Sequence, residues 1–137
     1  MKQWYYWLDL SPTELDQAVK DAPVAYVPCG SLEWHGEHLP LGCDYFRGAD
    51  ICRRAAQHTG GVVLPPLYTT ACGFSAYRGS IFFSGNLVKT LAAEMLRELD
   101  KVGFSVVIFM LGHAGKAQAE AFAEPAADYE KKSGIKV

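Results

Sequence analysis

The stretch Cys29-Gly30-Ser31-Leu32-Glu33-Trp34-His35-Gly36-Glu37-His38-Leu39-Pro40-Leu41-Gly42-Cys43-Asp44 sets two histidines and three carboxylates among glycines and a proline. Imidazole nitrogens and carboxylate oxygens together suit Zn, Mn or Fe, whereas Ca prefers oxygen alone. Glu33 and His35 are two residues apart, so in an extended segment both side chains leave on the same side and approach one point. Asp44 follows beyond Gly36, Pro40 and Gly42, in a loop able to fold back on that pair, and an aspartate can bridge two ions that clamp a water between them. A further histidine, His113 in Leu111-Gly112-His113-Ala114-Gly115, sits between small residues directly after an apolar run. Glu33, His35, Asp44 and His113 are thus the candidate metal ligands, and metal-dependent hydrolysis is the chemistry they imply.

The neighbouring residues are read against blander roles. His35 and His38 form His-x-x-His, but Gly36 and Pro40 oppose the helix that a zincin-type site needs. His38 has three open roles: orienting a ligand, moving protons, or bonding a backbone carbonyl. Glu37 reads as a solvated side chain, and His58 as a complement to a helix dipole. Cys29 and Cys43 could ligate or attack, although a small buried thiol is the ordinary case. A cysteine hydrolase using Cys29 with His35 lacks an evident orienting partner. Trp34 could wall a substrate pocket or simply pack, and the Trp4-Tyr5-Tyr6-Trp7 run reads as core or subunit contact.

Alternating strands and helices must position these residues. Ser11-Pro12-Thr13-Glu14 has capping-box form and opens a helix to about Lys20. A strand follows over Val24 to Val27, stopping at Pro28. A second helix runs from about Tyr45 to Gln57 or His58, ended by Gly60-Gly61. Val62-Val63-Leu64 is a short strand closed by Pro65-Pro66, and Leu67 to Arg78 is a long loop of the kind that is often functional. Asn86 is the expected cap of the clearest amphipathic helix, Leu87 to Val102. Phe104 to Leu111 is nearly all apolar, as in a strand buried on both faces of a parallel sheet. An Ala-rich helix from about Lys116 to Lys132 is expected to be interrupted at Pro125, and Gly134 to Val137 begins another strand. The order predicts a layered α/β/α fold with a mostly parallel sheet and right-handed crossovers. Ligands in such sheets gather beyond the carboxyl ends of the strands. If the strands before Cys29 and before Gly112 are parallel, both motifs therefore meet at one sheet edge.

A chain of 137 residues fits one domain, residues 1–137, and at that size about 70% of the unfolded surface is buried. The net charge of -2 and the lack of a basic block give no electrostatic support for nucleic acid or an anionic membrane as partner. No apolar stretch approaches the roughly 18 residues of a membrane span, and no signal peptide is evident, so a cytoplasmic protein is expected. Cys29, Cys43, Cys52 and Cys72 form no Cys-x-x-Cys pair and are expected to be reduced.

The segment from Pro28 to Asp44 resembles the signature of the creatininase (creatinine amidohydrolase) family, approximately Pro-x-Gly-Ser-x-Glu-Gln-His-Gly-Pro-His-Leu-Pro-Leu-x-x-Asp. Pro28, Gly30, Ser31, Glu33, His35, Gly36, His38, Leu39, Pro40, Leu41 and Asp44 match it. Pro65-Pro66, Gly79-Ser80 and Gly112-His113-Ala114-Gly115 resemble later family stretches, and the likeness runs from about Leu8 to the end. The resemblance implies a binuclear Zn, Mn or Fe centre, commonly in a homohexamer, that hydrolyses non-peptide amides, formamides or peptides. Carried across, Glu33, His35, Asp44 and His113 would be ligands with Asp44 as the bridge. His38 would handle protons and Trp34 would touch a small-molecule amide, lactam or formamide, whose carbonyl is attacked by a metal-activated water. Trp34, Glu37, Leu111 and Lys116 depart from the pattern, and Gly115 stands where creatininase itself has a glutamate ligand. Family members also continue into a further segment bearing His-Ala-Gly-Glu and Glu-Thr-Ser. A fragment, a short form completed by another subunit, and a non-catalytic homologue that binds metal or serves as a structural subunit are the expectations that follow.

Overall fold

A computed structural model describes residues 2–71 and 73–137; Cys72 lies outside the described residues. Strand β1 (Trp4–Tyr6) leads through a 3-10 turn, Trp7–Asp9, to helix α1 (Pro12–Asp21). Strand β2 (Val24–Cys29), helix α2 (Cys43–Thr59), strand β3 (Gly61–Val63), helix α3 (Gly85–Val102), strand β4 (Val106–Leu111) and helix α4 (Lys116–Ser133) follow. The strands form one sheet in the order β1-β3-β2-β4, and every pairing is parallel.

Successive residues of a strand face opposite sides of the sheet, and β2 shows how two layers are fed from one strand. Ala25, Val27 and Cys29 join a core with α1, α3 and α4 residues such as Val19, Leu96 and Phe122. Tyr26 points the other way, to Cys52 and Ala56 of α2 and Val63 of β3. Helices thus cover both faces, the expected α/β/α layering. Leu96 is fully buried in the larger core. Leu96→Ala should cost about 2–5 kcal/mol, read as a lower denaturant midpoint with an unchanged slope.

Several boundaries differ from expectation for identifiable reasons. β2 continues through Pro28 to Cys29, and β1 adds an edge strand where the aromatic run reads as core or subunit contact. Ser84, not Asn86, caps α3: its Oγ accepts from Leu87 N at 3.3 Å. Pro125 lies within α4 without ending it. The missing amide and ring clash cost about 3 kcal/mol, and the packing of the helix on α3, with Ala121 and Phe122 buried, offsets this. β4 starts at Val106 rather than Phe104 and is not covered on both faces, since Ile108 is 37% exposed. Beside it Val107 N donates to Lys136 O at 2.7 Å, so the C-terminal residues do begin parallel pairing there. Among the described residues no helix is long and apolar enough to cross a membrane.

Candidate metal centre

β2 and β4 pair in register from Val24 with Val106 to Cys29 with Leu111. Being parallel, they release Gly30 and Gly112 at the same end of the sheet. Gly112 N donates to Cys29 O at 2.7 Å and extends the pairing by one step. The first turn of α2 lies directly on these strand ends. A Cβ on Gly112 would overlap the Asp44 carbonyl oxygen, and one on Gly30 would overlap the Tyr45 backbone. The absence of side chains at those two positions is what lets Asp44 approach both strand ends.

From Gly30 to Gly42 the chain is irregular, closed by Glu33 N donating to Leu41 O at 3.1 Å. Asp44 is not a loop residue but sits in the first turn of α2, where a carboxylate also complements the helix dipole. His113 Nδ1 lies 2.7 Å from Glu33 Oε1 and 3.2 Å from Asp44 Oδ2. His35 Nε2 lies 3.3 Å from Asp44 Oδ1 and 4.0 Å from Glu33 Oε1. The four residues separated in sequence therefore share one cluster around Asp44.

Glu33, Asp44 and His113 are 2%, 3% and 7% exposed. Two carboxylates so buried are costly unless paired or ligating a cation. Asp44 receives Ser31 Oγ at 2.9 Å and the Arg47 guanidinium at 3.3 Å, while Arg47 also donates to the Gly112 carbonyl. Glu33 Oε2 and His113 Nε2, both buried, find no hydrogen-bond partner among the described residues. An unpaired buried polar atom costs about 1–3 kcal/mol. A divalent cation would satisfy Glu33 there: one carboxylate oxygen of Glu33, one of Asp44 and a ring nitrogen of His113 lie within 4.8 Å of one another. The donor set is oxygen and imidazole nitrogen, which fits Zn, Mn or Fe.

Of the remaining candidates, Cys43 stands beside this cluster, with its thiol within 4.8 Å of ligand atoms of His35 and Asp44, and the others fall outside it. His38 is exposed, beside Gly36, and among the described residues it makes no hydrogen bond or ion pair with the four. Glu37 and His58 are exposed as expected. Trp34 stacks on Tyr77 of the long loop, with centroids 4.3 Å apart and planes 10° from parallel. Trp34 N donates to Ser80 Oγ at 3.0 Å, and Ile81 N donates to Leu32 O at 2.8 Å, so the end of the long loop is tied along the ligand loop. A groove of about 590 Å³ between them is lined by Trp34, Glu37, Pro40, Tyr77 and Arg78 among others, by neighbours of Glu33 and His35 rather than by the pair itself. Cys29 is buried, its thiol turned to Val27 O, and burial pushes its pKa well above the ordinary thiol range, which disfavours a nucleophile. Cys29, Cys43 and Cys52 are free thiols. A Cβ on Gly115 would stand 2.5 Å from His113 Nε2, so a longer residue there requires that ring to move.

Two supporting residues were not assigned roles from the sequence. Arg47 stands three residues beyond Asp44, a spacing at which helical side chains meet, so it becomes visible once α2 is started at Cys43. Ser31 is fully buried and fixes one Asp44 oxygen; its place in the family-like signature was the only signal.

The family model for creatininase, creatinine amidohydrolase, matches residues 8–136. Creatinine amidohydrolase of Pseudomonas putida is 27% identical over 96 residues, covering 66% of this chain and 37% of that protein. The mycofactocin precursor peptide peptidase of Mycolicibacterium smegmatis is 31% identical over 115 residues, covering 79% of this chain and 46% of that one. A crystal structure of creatinine amidohydrolase superposes with a TM-score of 0.85 at 22% identity, over 96% of this chain and 52% of that chain. The chain thus spans about half or less of the length of these relatives. Because that family match spans nearly the whole chain, residues 8–136, the chain belongs to the creatininase family.

Proposed function

We propose that this chain carries the metal-binding half of a metal-dependent amidohydrolase that acts on small non-peptide amides, lactams or formamides. The observation that carries this reading is the buried Glu33, Asp44 and His113 cluster, with its unpartnered Glu33 oxygen, at the sheet edge where open α/β sheets place ligands. Glu33, Asp44 and His113 hold one ion, and His35 extends the site from the other oxygen of Asp44. Solved creatininases of this fold include a manganese form and a Zn-Zn form, which supports a divalent metal and a paired site. When bound, such an ion lowers the pKa of water toward about 7 and polarises a carbonyl. Ser31 and Arg47 hold Asp44 in place, and the Arg47 charge offsets part of the carboxylate charge. The stacked Trp34 and Tyr77 rings offer a flat wall to a planar amide, and His38, standing in water, exchanges protons with solvent. Assembly as a homo-oligomer, a hexamer by family likeness, would surround the site with further groups.

The test is turnover by the zinc- or manganese-loaded protein of a panel containing creatinine, simple lactams, formamides and a short peptide. Metal-dependent release of amine from a non-peptide amide, lost in Glu33→Gln, is the expected result. Cleavage of the peptide alone would move the substrate class toward that of the mycobacterial relative. Metal binding in an assembled protein with no turnover of any amide would replace the reading with a metal-binding or structural subunit.

A further inference from the structure

The ligand-type atoms at this sheet edge fall into two groups that share Asp44. One is Glu33, Asp44 and His113; the other is His35, Cys43 and Asp44, whose nitrogen, sulfur and oxygen also lie within 4.8 Å of one another. The first group is all oxygen and nitrogen. The second contains a thiol, which the hydrolase reading does not use.

Three features of the fold prepare this second group. His35 Nδ1 lies 3.1 Å from Glu33 O, so its N–H is given to a carbonyl. That fixes the tautomer in which Nε2 carries the free lone pair, and Nε2 is the atom 3.3 Å from Asp44 Oδ1. Cys43 opens α2, and its N donates to Pro40 O at 3.0 Å, so the residue before Asp44 is anchored by the same turn that delivers the loop. Cys43 is only partly buried, whereas Cys29 and Cys52 are buried in the core.

We propose that Cys43 is a thiolate ligand of a second metal position, which it forms with His35 and Asp44. The proposal rests on the metal-binding reading above and goes beyond it in assigning a sulfur donor. The Arg47 guanidinium, 3.3 Å from Asp44 Oδ1, opposes a cation there, so the second position needs more negative charge than Asp44 brings. Loss of the thiol proton on binding adds a negative charge that Glu33 and Asp44 alone do not supply. The balance is simple: the S–H bond breaks, the metal–sulfur bond forms, and one proton passes to solvent with no change of oxidation state. A sulfur, nitrogen and oxygen set selects zinc over manganese, whereas the oxygen and nitrogen set of the first position accepts either.

Cobalt(II) replacing zinc in the full chain tests this by absorption. Wild-type protein should show a near-ultraviolet thiolate-to-cobalt charge-transfer band, and Cys43→Ser should lose it while keeping the weaker visible d–d bands of the first position. Elemental analysis should give about two zinc ions per chain in the wild type and about one in Cys43→Ser. Without any variant, zinc but not manganese should protect Cys43 from alkylation, mapped by peptide mass, which keeps the test independent of folding of the mutant. Cobalt bound without the charge-transfer band, a band that survives Cys43→Ser, or equal alkylation of Cys43 with and without zinc would each overturn the sulfur ligand while leaving the first metal position standing. No cobalt or zinc bound by the wild type would overturn both readings together.

Discussion

Asp44→Asn should remove metal more completely than any other single change in the ligand loop, because Asp44 is the residue common to both groups of donors. Asparagine keeps the shape but gives up the charge and one strong acceptor. Its effect should exceed that of Ser31→Ala, which removes only the hydroxyl that orients Asp44 Oδ2 from 2.9 Å. Loss of such an outer partner ordinarily weakens metal affinity about 10–100-fold. The check is metal content after equilibrium dialysis, joined to thermal unfolding with and without zinc. At free zinc a hundred times the dissociation constant, the wild type gains about 2.7 kcal/mol. For a chain of this size that is a rise of about 10 °C in Tm. Asp44→Asn should show no such rise, and Ser31→Ala a reduced one. Wild-type zinc content in Asp44→Asn would remove Asp44 from the centre of the site.

Much of this arrangement was readable before the fold was known, and the reason is topological. Glu33 and His113 are far apart in sequence, but each follows an apolar strand, and parallel strands release their loops at the same edge. The pairing of Cys29 with Leu111 and the Gly112 N bond to Cys29 O realise that logic. Less legible was Asp44 as a helical residue. The cap of α2 is Gly42, which makes no side-chain cap bond, so the usual Ser, Thr, Asp or Asn signal for a helix start is missing just where the ligand sits. Arg47 stayed hidden for the same reason, since its role depends on the helical spacing from Asp44. Ser84 and Asn86 are both good capping residues, and sequence alone does not rank two such residues only two positions apart. The strand at Trp4–Tyr6 is too short to display a period, and only its pairing with β3 defines it. Cys43 is readable in the sequence as a residue that could ligate, but its partners are not, because they depend on how the loop closes from Pro40 to Cys43.

A methyl group on Gly112 should damage both the fold and the metal centre, and comparing the two losses shows how α2 is held. The new Cβ would overlap the Asp44 carbonyl oxygen and lie 3.2 Å from Cys29 O, so backbone surrounds it and no side chain can rotate away. One relief is for the first turn of α2 to retreat, carrying Asp44 from Glu33 and His113. The other is for Gly112 to leave Cys29 and unpick the end of the β2–β4 ladder. Overpacking of this kind costs about 1–3 kcal/mol or more. Gly85→Ala is the matched control, because nothing lies within 4 Å of its Cβ at the start of α3 and the change should be neutral or slightly stabilising. If the helix turn yields, Gly112→Ala keeps a cooperative denaturant transition but loses zinc; if the ladder yields, the midpoint falls steeply whether or not zinc is present. Stability and zinc content equal to those of Gly85→Ala would contradict the close approach itself, since that approach is what requires glycine beside Asp44.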